Sequence, residues 1–238
     1  MKHQTVAILV VGNEILSGRT REANAYLASR RLFECGCKVE EIVAVPDIAI
    51  RIVSTLRRVI RTCDGVITSG GIGPTHDDIT MRAVAEAFDV PLQEHAETLA
   101  AMTRHYGAGN INSGRRRMAM LPAGAMPIVS QNSIAPGAAI GNVYVLAGVP
   151  EIFASQLEVI LPRFGGKPYK RLEIEVSLPE SSFAEALDRL QARFPQVEIG
   201  SYPSHCGRKP RGKICLSSQD ASQLDKAKVA VVGMLASL

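Results

Sequence analysis

The chain has no tryptophan, and phenylalanine and tyrosine together make up only 5% of its 238 residues. A core without large rings has to be aliphatic, built from Val, Ile, Leu and Ala. No apolar run approaches the ~20 residues that a membrane-spanning helix needs. No charged-then-apolar leader precedes the first strand-like run, so the expected address is the cytoplasm, with no membrane partner. Cysteine is sparse and unpatterned. Cys35, Cys37, Cys63, Cys206 and Cys215 are odd in number and contain no C-x-x-C, which excludes the common zinc and redox motifs and reads as reduced thiols. No two histidines have the spacing of a zinc protease and no G-x-S-x-G occurs, so neither zinc-hydrolase nor serine-hydrolase chemistry has support. Neither sign of charge dominates: 27 basic residues face 23 acidic ones, a net charge of +4, which argues against a nucleic-acid partner. The basic triplet Arg115-Arg116-Arg117 reads as an exposed helix face.

What is present is a soluble globular composition, 46% hydrophobic and 21% charged, long enough for one medium and one small domain. The first half alternates strand-like and helix-like runs. Val6-Ala7-Ile8-Leu9-Val10-Val11 is continuously apolar, as a strand buried on both faces must be. Helical spacing follows over 24–33 and is ended by Gly36. A second strand is predicted over 39–45, a helix over 48–60 and a third strand over 65–68. This βαβαβ order implies a parallel sheet with helices on both faces. Ligands then bind outside the carboxyl ends of the strands, on the rim shared by loops 12–18, 46–47 and 69–78. Beyond it, 93–106 is helix-compatible, 115–120 a short helix, 127–130 and 142–146 strands, and 150–161 a helix opened by Pro150. The Pro- and Gly-rich stretch 162–168 reads as a linker. The rhythm then changes to βαββα, with strands over 170–176, 197–202 and 213–216 and helices over 181–193 and 221–235. Ser182 and Glu185 match a capping box at the start of the first of these helices. The predicted domains are 1–165 and 166–238.

The stretch Ser69-Gly70-Gly71-Ile72-Gly73-Pro74-Thr75-His76-Asp77-Asp78-Ile79-Thr80 concentrates the chemistry. Gly70, Gly71 and Gly73 let the backbone turn tightly and approach a ligand with no side chain in the way. The N–H groups at the start of the following helix favour an anion such as phosphate. Two carboxylates, Asp77 and Asp78, sit where an anion would be repelled unless a divalent cation lies between them, so the loop points to a metal–phosphate site. As a purely structural turn, Thr75 would cap the helix with Asp78 completing the box, and two adjacent aspartates cannot both cap. His76 is placed to contact phosphate or move a proton, or else faces solvent. Gly12 and Glu14 follow the first strand, where Glu14 orients a ligand hydroxyl, completes a metal site or bonds to backbone. Asp47, after the second strand, reads as the N-cap of the next helix.

Together these segments resemble the molybdopterin-binding (MoCF-type) fold family, in its CinA-like branch. Val10-Val11-Gly12-Asn13-Glu14-Ile15-Leu16-Ser17-Gly18, with Asn24 downstream, is similar to that branch's opening element. Val45-Pro46-Asp47 is similar to its second, and the segment from Ser69 to Thr80 closely resembles its signature. Ala135-Pro136-Gly137 and Ala147-Gly148-Val149-Pro150-Glu151 resemble its later elements, although Ala147 and Met118 stand where many relatives have Pro and Gln. The segment from Lys170 onward resembles the small α+β domain that follows in this branch. The resemblance implies a three-layer αβα domain with a mostly parallel sheet and then the small α+β domain, in a stand-alone form without a deamidase domain. It also implies hydrolysis of a nucleotide pyrophosphate such as ADP-ribose or a FAD-like dinucleotide. A divalent ion (Mg, Mn or Co) would be held by Asp78 with Asp47 or Asp77. Ser69, Gly70, Gly71, Gly73, Thr75, Gly12, Glu14, Asn24 and Gly148 would surround the ligand, and the assembly would be a homo-oligomer. The alternatives are molybdopterin binding or adenylylation, and a nucleotide-binding module without turnover.

Overall fold

A computed structural model describes residues 2–204 and 211–238. The chain divides into two compact units, Met1–Gly166 and Lys167–Leu238. Cys206 lies outside the described residues.

The first unit opens with strand β1 (Thr5–Val11), a one-turn helix α1 (Asn13–Leu16), helix α2 (Asn24–Glu34), strand β2 (Lys38–Val45), helix α3 (Ala49–Thr62) and strand β3 (Gly65–Ser69). Helix α4 (Thr80–Ala87), strand β4 (Leu92–Glu94), helix α5 (Ala96–Tyr106), helix α6 (Ser113–Arg117) and strand β5 (Met120–Pro122) follow. Strands β6 (Met126–Ser130), β7 (Ser133–Ile140) and β8 (Val143–Leu146) and helix α7 (Pro150–Ile160) complete it. The main sheet has the order β2-β1-β3-β8-β7-β6. Its first four strands are mutually parallel, while β7 runs antiparallel to both of its neighbours, β8 and β6. The apolar run of β1 shows why. Val6, Ile8 and Val10 join a core with residues of α2 and α7 on one face. Ala7, Leu9 and Val11 join a second core with α3 and α4 on the other. Helices cover both faces, giving the expected three layers.

Four local expectations fail for physical reasons. The helix over 93–106 begins only at Ala96, because Leu92–Glu94 pairs antiparallel with Met120–Pro122 and His95 caps α5 by accepting from the Thr98 N–H. The short helix over 115–120 is likewise displaced to Ser113–Arg117. Strand β7 was not foreseen, since Ser-Ile-Ala-Pro-Gly-Ala-Ala-Ile carries almost none of the β-branched and aromatic residues that mark strands. Its Gly137 is required by close packing: a Cβ there would lie 2.3 Å from the Val145 carbonyl oxygen. Neither expected capping box forms. Helix α4 starts at Thr80, beyond Thr75, and the helix after Ser182 starts without a side-chain cap.

The second unit consists of strand β9 (Lys170–Val176), helix α8 (Ala184–Arg193), strands β10 (Glu198–Ser204) and β11 (Arg211–Ser218) and helix α9 (Ala221–Ala236). Its antiparallel sheet, β10-β11-β9, and its two helices enclose Val176, Phe183, Phe194, Val197, Ile214 and Leu216. Asp220 caps α9 by accepting from the N–H groups of Ser222 and Gln223. Among the described residues no helix is long and apolar enough to cross a membrane.

Candidate functional site

The parallel strands β1, β2, β3 and β8 bring their carboxyl ends, and the loops behind them, to one rim of the sheet. The loops meet backbone to backbone. Gly70 has φ +100, and a Cβ on it would lie 2.2 Å from the Val11 carbonyl oxygen. Gly71 has φ +70, and its Cβ would lie 2.2 Å from Thr80 Oγ1. Thr80, fully buried, locks the turn: its hydroxyl donates to the Gly70 carbonyl at 2.8 Å and its N–H to the Gly71 carbonyl at 2.9 Å. These tethers hold the three N–H groups of Gly71, Ile72 and Gly73 without an acceptor among the described residues. Unpaired donors in a fixed array are what an anion needs. The sequence expected them at the start of the helix, but α4 begins seven residues after Gly73, so the donors belong to the loop itself.

Asp78 folds back over Gly73, its carboxylate close enough that a Cβ there would meet Oδ2 at 2.7 Å. Asp78 Oδ2 accepts from the Thr75 N–H at 2.8 Å. The single Thr75 hydroxyl lies within hydrogen-bonding reach of both Asp77 Oδ1 and Asp78 Oδ2. One proton cannot fully serve two carboxylates, so this pocket of like charge favours a cation. The Thr75 hydroxyl holds the Asp77 carboxyl below its usual range. His76 is 96% exposed, its Nδ1 4.0 Å from Asp77 Oδ1. Arg117, read from sequence as surface, ties down the loop tip by donating from Nη1 to the carbonyls of Pro74 and Thr75. Its neighbours are also engaged, Arg116 with Glu94 and Arg115 over the Tyr106 ring. A signal for Arg117 was absent from the sequence, because nothing local pairs residue 117 with residue 75.

On the other side of the glycines, Asn24 is 6% exposed. Its Nδ2 donates to Ser69 Oγ and to the Gly148 carbonyl, both at 2.8 Å. The carbonyl only accepts, which fixes the amide orientation and leaves Asn24 Oδ1 buried without a partner. Glu14 folds back over Gly12, where a Cβ would lie 2.4 Å from Oε1. Asp47 is not the N-cap of α3, which is Ile48. Its Oδ2 accepts from the Asn13 N–H at 2.8 Å and so ties the second loop to the first.

The expected residues therefore divide between two cavities. Glu14, Asn24, Ser69, Gly70 and Gly148 line one of about 70 Å³. Gly73, His76 and Asp78 line another of about 110 Å³. Gly12 lies beside Glu14, and Gly71, Thr75 and Asp77 belong to the segment between. Among the described residues no three of His, Cys, Asp and Glu gather closely enough to cage a metal ion. Larger hollows exist, about 360 Å³ in the second unit and about 620 Å³ beside Val129 and Val159. Neither is lined by paired carboxylates, which leaves the rim as the candidate site.

A family profile described as "Probable molybdopterin binding domain" matches residues 7–165. The chain belongs to this family, in its CinA-like branch. A second profile, "FAD synthase, middle domain", matches residues 168–238. A CinA-like protein of Myxococcus xanthus is 32% identical over 95% of this chain, which spans only 57% of that protein's length. A protein of Pyrococcus furiosus is 35% identical, with 92% of each chain covered. The crystal structure of the protein CinA from Thermoplasma acidophilum superposes with a TM-score of 0.63 and 32% identity, covering 66% of this chain and 95% of that one. That 66% is about the share of the chain held by its first unit.

Proposed function

We propose that this CinA-like protein is a metal-dependent nucleotide pyrophosphatase acting on ADP-ribose or a FAD-like dinucleotide. The observation that carries the reading is the run of three unpaired N–H groups, Gly71 to Gly73, with the Asp78 carboxylate packed against Gly73. Anion donors and carboxylates side by side fit a phosphate and a divalent cation bound together. Asp78 is the residue that would hold the ion, with help from Asp47 or Asp77. The lack of a three-carboxylate cage fits Mg²⁺, which keeps several waters and binds through one or two carboxylates plus substrate phosphates. When bound, such an ion neutralises phosphate charge and lowers the pKa of a coordinated water. The chain's own contribution is to hold. The loop N–H groups fix the phosphate oxygens, Thr80 and Arg117 keep the loop from relaxing, and His76 is free to reach an outer phosphate. Asp77, ionised well into acid, accepts hydrogen bonds throughout the neutral range and is, with Glu14, the first base to test. The match of the second unit to a domain of FAD synthases supports a dinucleotide.

The test is direct. The protein is incubated with ADP-ribose, FAD and ATP, each with Mg²⁺, Mn²⁺ or Co²⁺, and AMP is measured. The expected result is AMP from ADP-ribose or FAD, reduced at least a hundredfold in Asp78→Ala. Failure of every nucleotide to be cleaved, with a pterin bound on purification, would replace this reading by molybdopterin binding or adenylylation. Stabilisation by a nucleotide without turnover would make the protein a binding module.

A further inference from the structure

The cavity beside Gly73 and Asp78 has a second wall that the phosphate chemistry leaves unused. Met81, Met118 and Met120 line it, three of the chain's seven methionines. They arrive from separate elements, α4, the end of α6 and β5, so they are not one stripe of a helix. Met81 also packs against the second core, but Met118 and Met120 belong to no core cluster of the described residues. Met102 is fully buried, whereas these three are half-buried around a void. No Phe, Tyr or Trp lines the cavity, and a chain without tryptophan has few rings to spare for stacking. Flexible, polarizable thioethers do the same work, contacting aromatic rings favourably while adapting to their shape. The rim of the cavity is cationic. Arg82 is exposed and has no hydrogen-bonded or ion-paired partner among the described residues, and Arg117 commits Nη1 alone to the loop.

We propose that this methionine-lined cavity seats a planar heteroaromatic ring, purine or flavin, whose phosphate lies toward Arg82 and the Gly71–Gly73 donors. The inference rests on the phosphate site proposed above and adds which end of the ligand goes where. Rings enter the cavity of Met118, and the sugar or second head group lies on the other side of the glycines, toward Asn24.

Binding measured apart from turnover tests it. Etheno-AMP and FMN are fluorescent, and each is titrated with the protein and its affinity compared with that of ribose 5-phosphate, which has the phosphate and sugar but no ring. The intact protein is expected to bind at least one ring-bearing ligand tenfold or more tighter than ribose 5-phosphate, and the better of the two identifies the ring class. The double variant Met118→Ala/Met120→Ala is expected to weaken that ligand about tenfold, the loss of two thioether contacts, with ribose 5-phosphate unchanged. Met118→Leu/Met120→Leu, which keeps apolar volume, provides the same comparison with less effect on folding and should show an intermediate loss. Arg82→Gln should weaken AMP but not adenosine. Equal affinity for ringed and ringless phosphates, no binding of either, or methionine variants that leave the contrast intact would overturn the proposal. None of these readouts requires cleavage. A protein that binds rings here without releasing AMP would refute the pyrophosphatase reading while leaving this one standing.

Discussion

Replacing Gly71 by alanine should damage the rim far more than the same change at Gly18, although the two backbones are alike. Gly18 has φ +69 with nothing within 4 Å of an added Cβ, and Gly71 has φ +70 with Thr80 Oγ1 at 2.2 Å. At Gly18 the cost is left-handed strain alone, about 1 kcal/mol. At Gly71 the strain is the same, but the methyl group and the hydroxyl cannot both stay. Thr80 is fully buried and cannot swing to solvent. Its hydroxyl must leave the Gly70 carbonyl, costing about 1–3 kcal/mol for the acceptor left unpaired, and overpacking adds about 1–2 kcal/mol. Gly71→Ala is therefore expected to lose ~2–5 kcal/mol more than Gly18→Ala. Urea unfolding gives the measurement, followed through the NMR signal of the Tyr144 ring, which is buried in the first unit and does not report the second. Adding Thr80→Ala removes the clashing oxygen, so the double variant Gly71→Ala/Thr80→Ala should be more stable than the sum of its parts by about 1–2 kcal/mol. Equal losses at Gly18 and Gly71, or strict additivity with Thr80→Ala, would refute the claim that this hydroxyl sets the turn.

Arg117→Ala frees the Pro74 and Thr75 carbonyls and should raise KM about tenfold with little change in unfolding midpoint, since Arg117 is exposed and its two bonds hold only the loop tip. Asn24→Asp removes the donor that bridges Ser69 and Gly148 and sets a charge against the part-buried Gly148 carbonyl. It should cost about 1–3 kcal/mol in urea unfolding, more than Asn24→Ala. His3, whose Nε2 lies 2.8 Å from the Tyr144 hydroxyl, has its pKa lowered from 6.5, chiefly by burial. The unfolded chain then binds the proton more readily, so this group's contribution is complete above pH 6.5 and is lost as pH falls through the folded value. NMR titration should find the His3 midpoint below 6.5, and His3→Gln should flatten that part of the stability profile.

Much of the frame was legible because burial on both faces leaves a mark in sequence. The unbroken apolar run of β1 could only be a central strand, and the helical stripes of α2 and α3 had to pack on opposite sides of it. The second unit was equally readable, since Lys170–Val176 alternates as a half-exposed strand should. What escaped was structure made by tertiary pairing. Strand β7 is built from small residues that close approach to β8 selects. Leu92–Glu94 is a strand only because Met120–Pro122 lies beside it. Asp47 and Thr75 were read as caps because each stands near a helix start. In the fold each satisfies a different loop, Asp47 holding Asn13 and Thr75 its own aspartates. The role of Arg117 depends on a contact 42 residues back along the chain, beyond any local pattern.

The glycines at the rim serve two purposes that constrain each other. Gly70 lies against Val11 and Gly148 against Gly70, so the strand ends approach with backbone alone between them. Gly70 lines the cavity of Asn24 and Gly73 the cavity of Asp78, and the same absence of side chains leaves the loop N–H groups bare. Each cavity carries a cation with no partner among the described residues, Arg21 in one and Arg82 in the other. A ligand with a single head group would use one cavity and leave the other without a purpose. A ligand with two head groups joined through phosphates would use both, its negatively charged link crossing where only backbone donors stand. On the proposed reading this is why a dinucleotide suits the rim better than a lone pterin. It also makes the two sides separable: changes at Asn24 should alter discrimination among sugars, and changes at Met118 discrimination among rings.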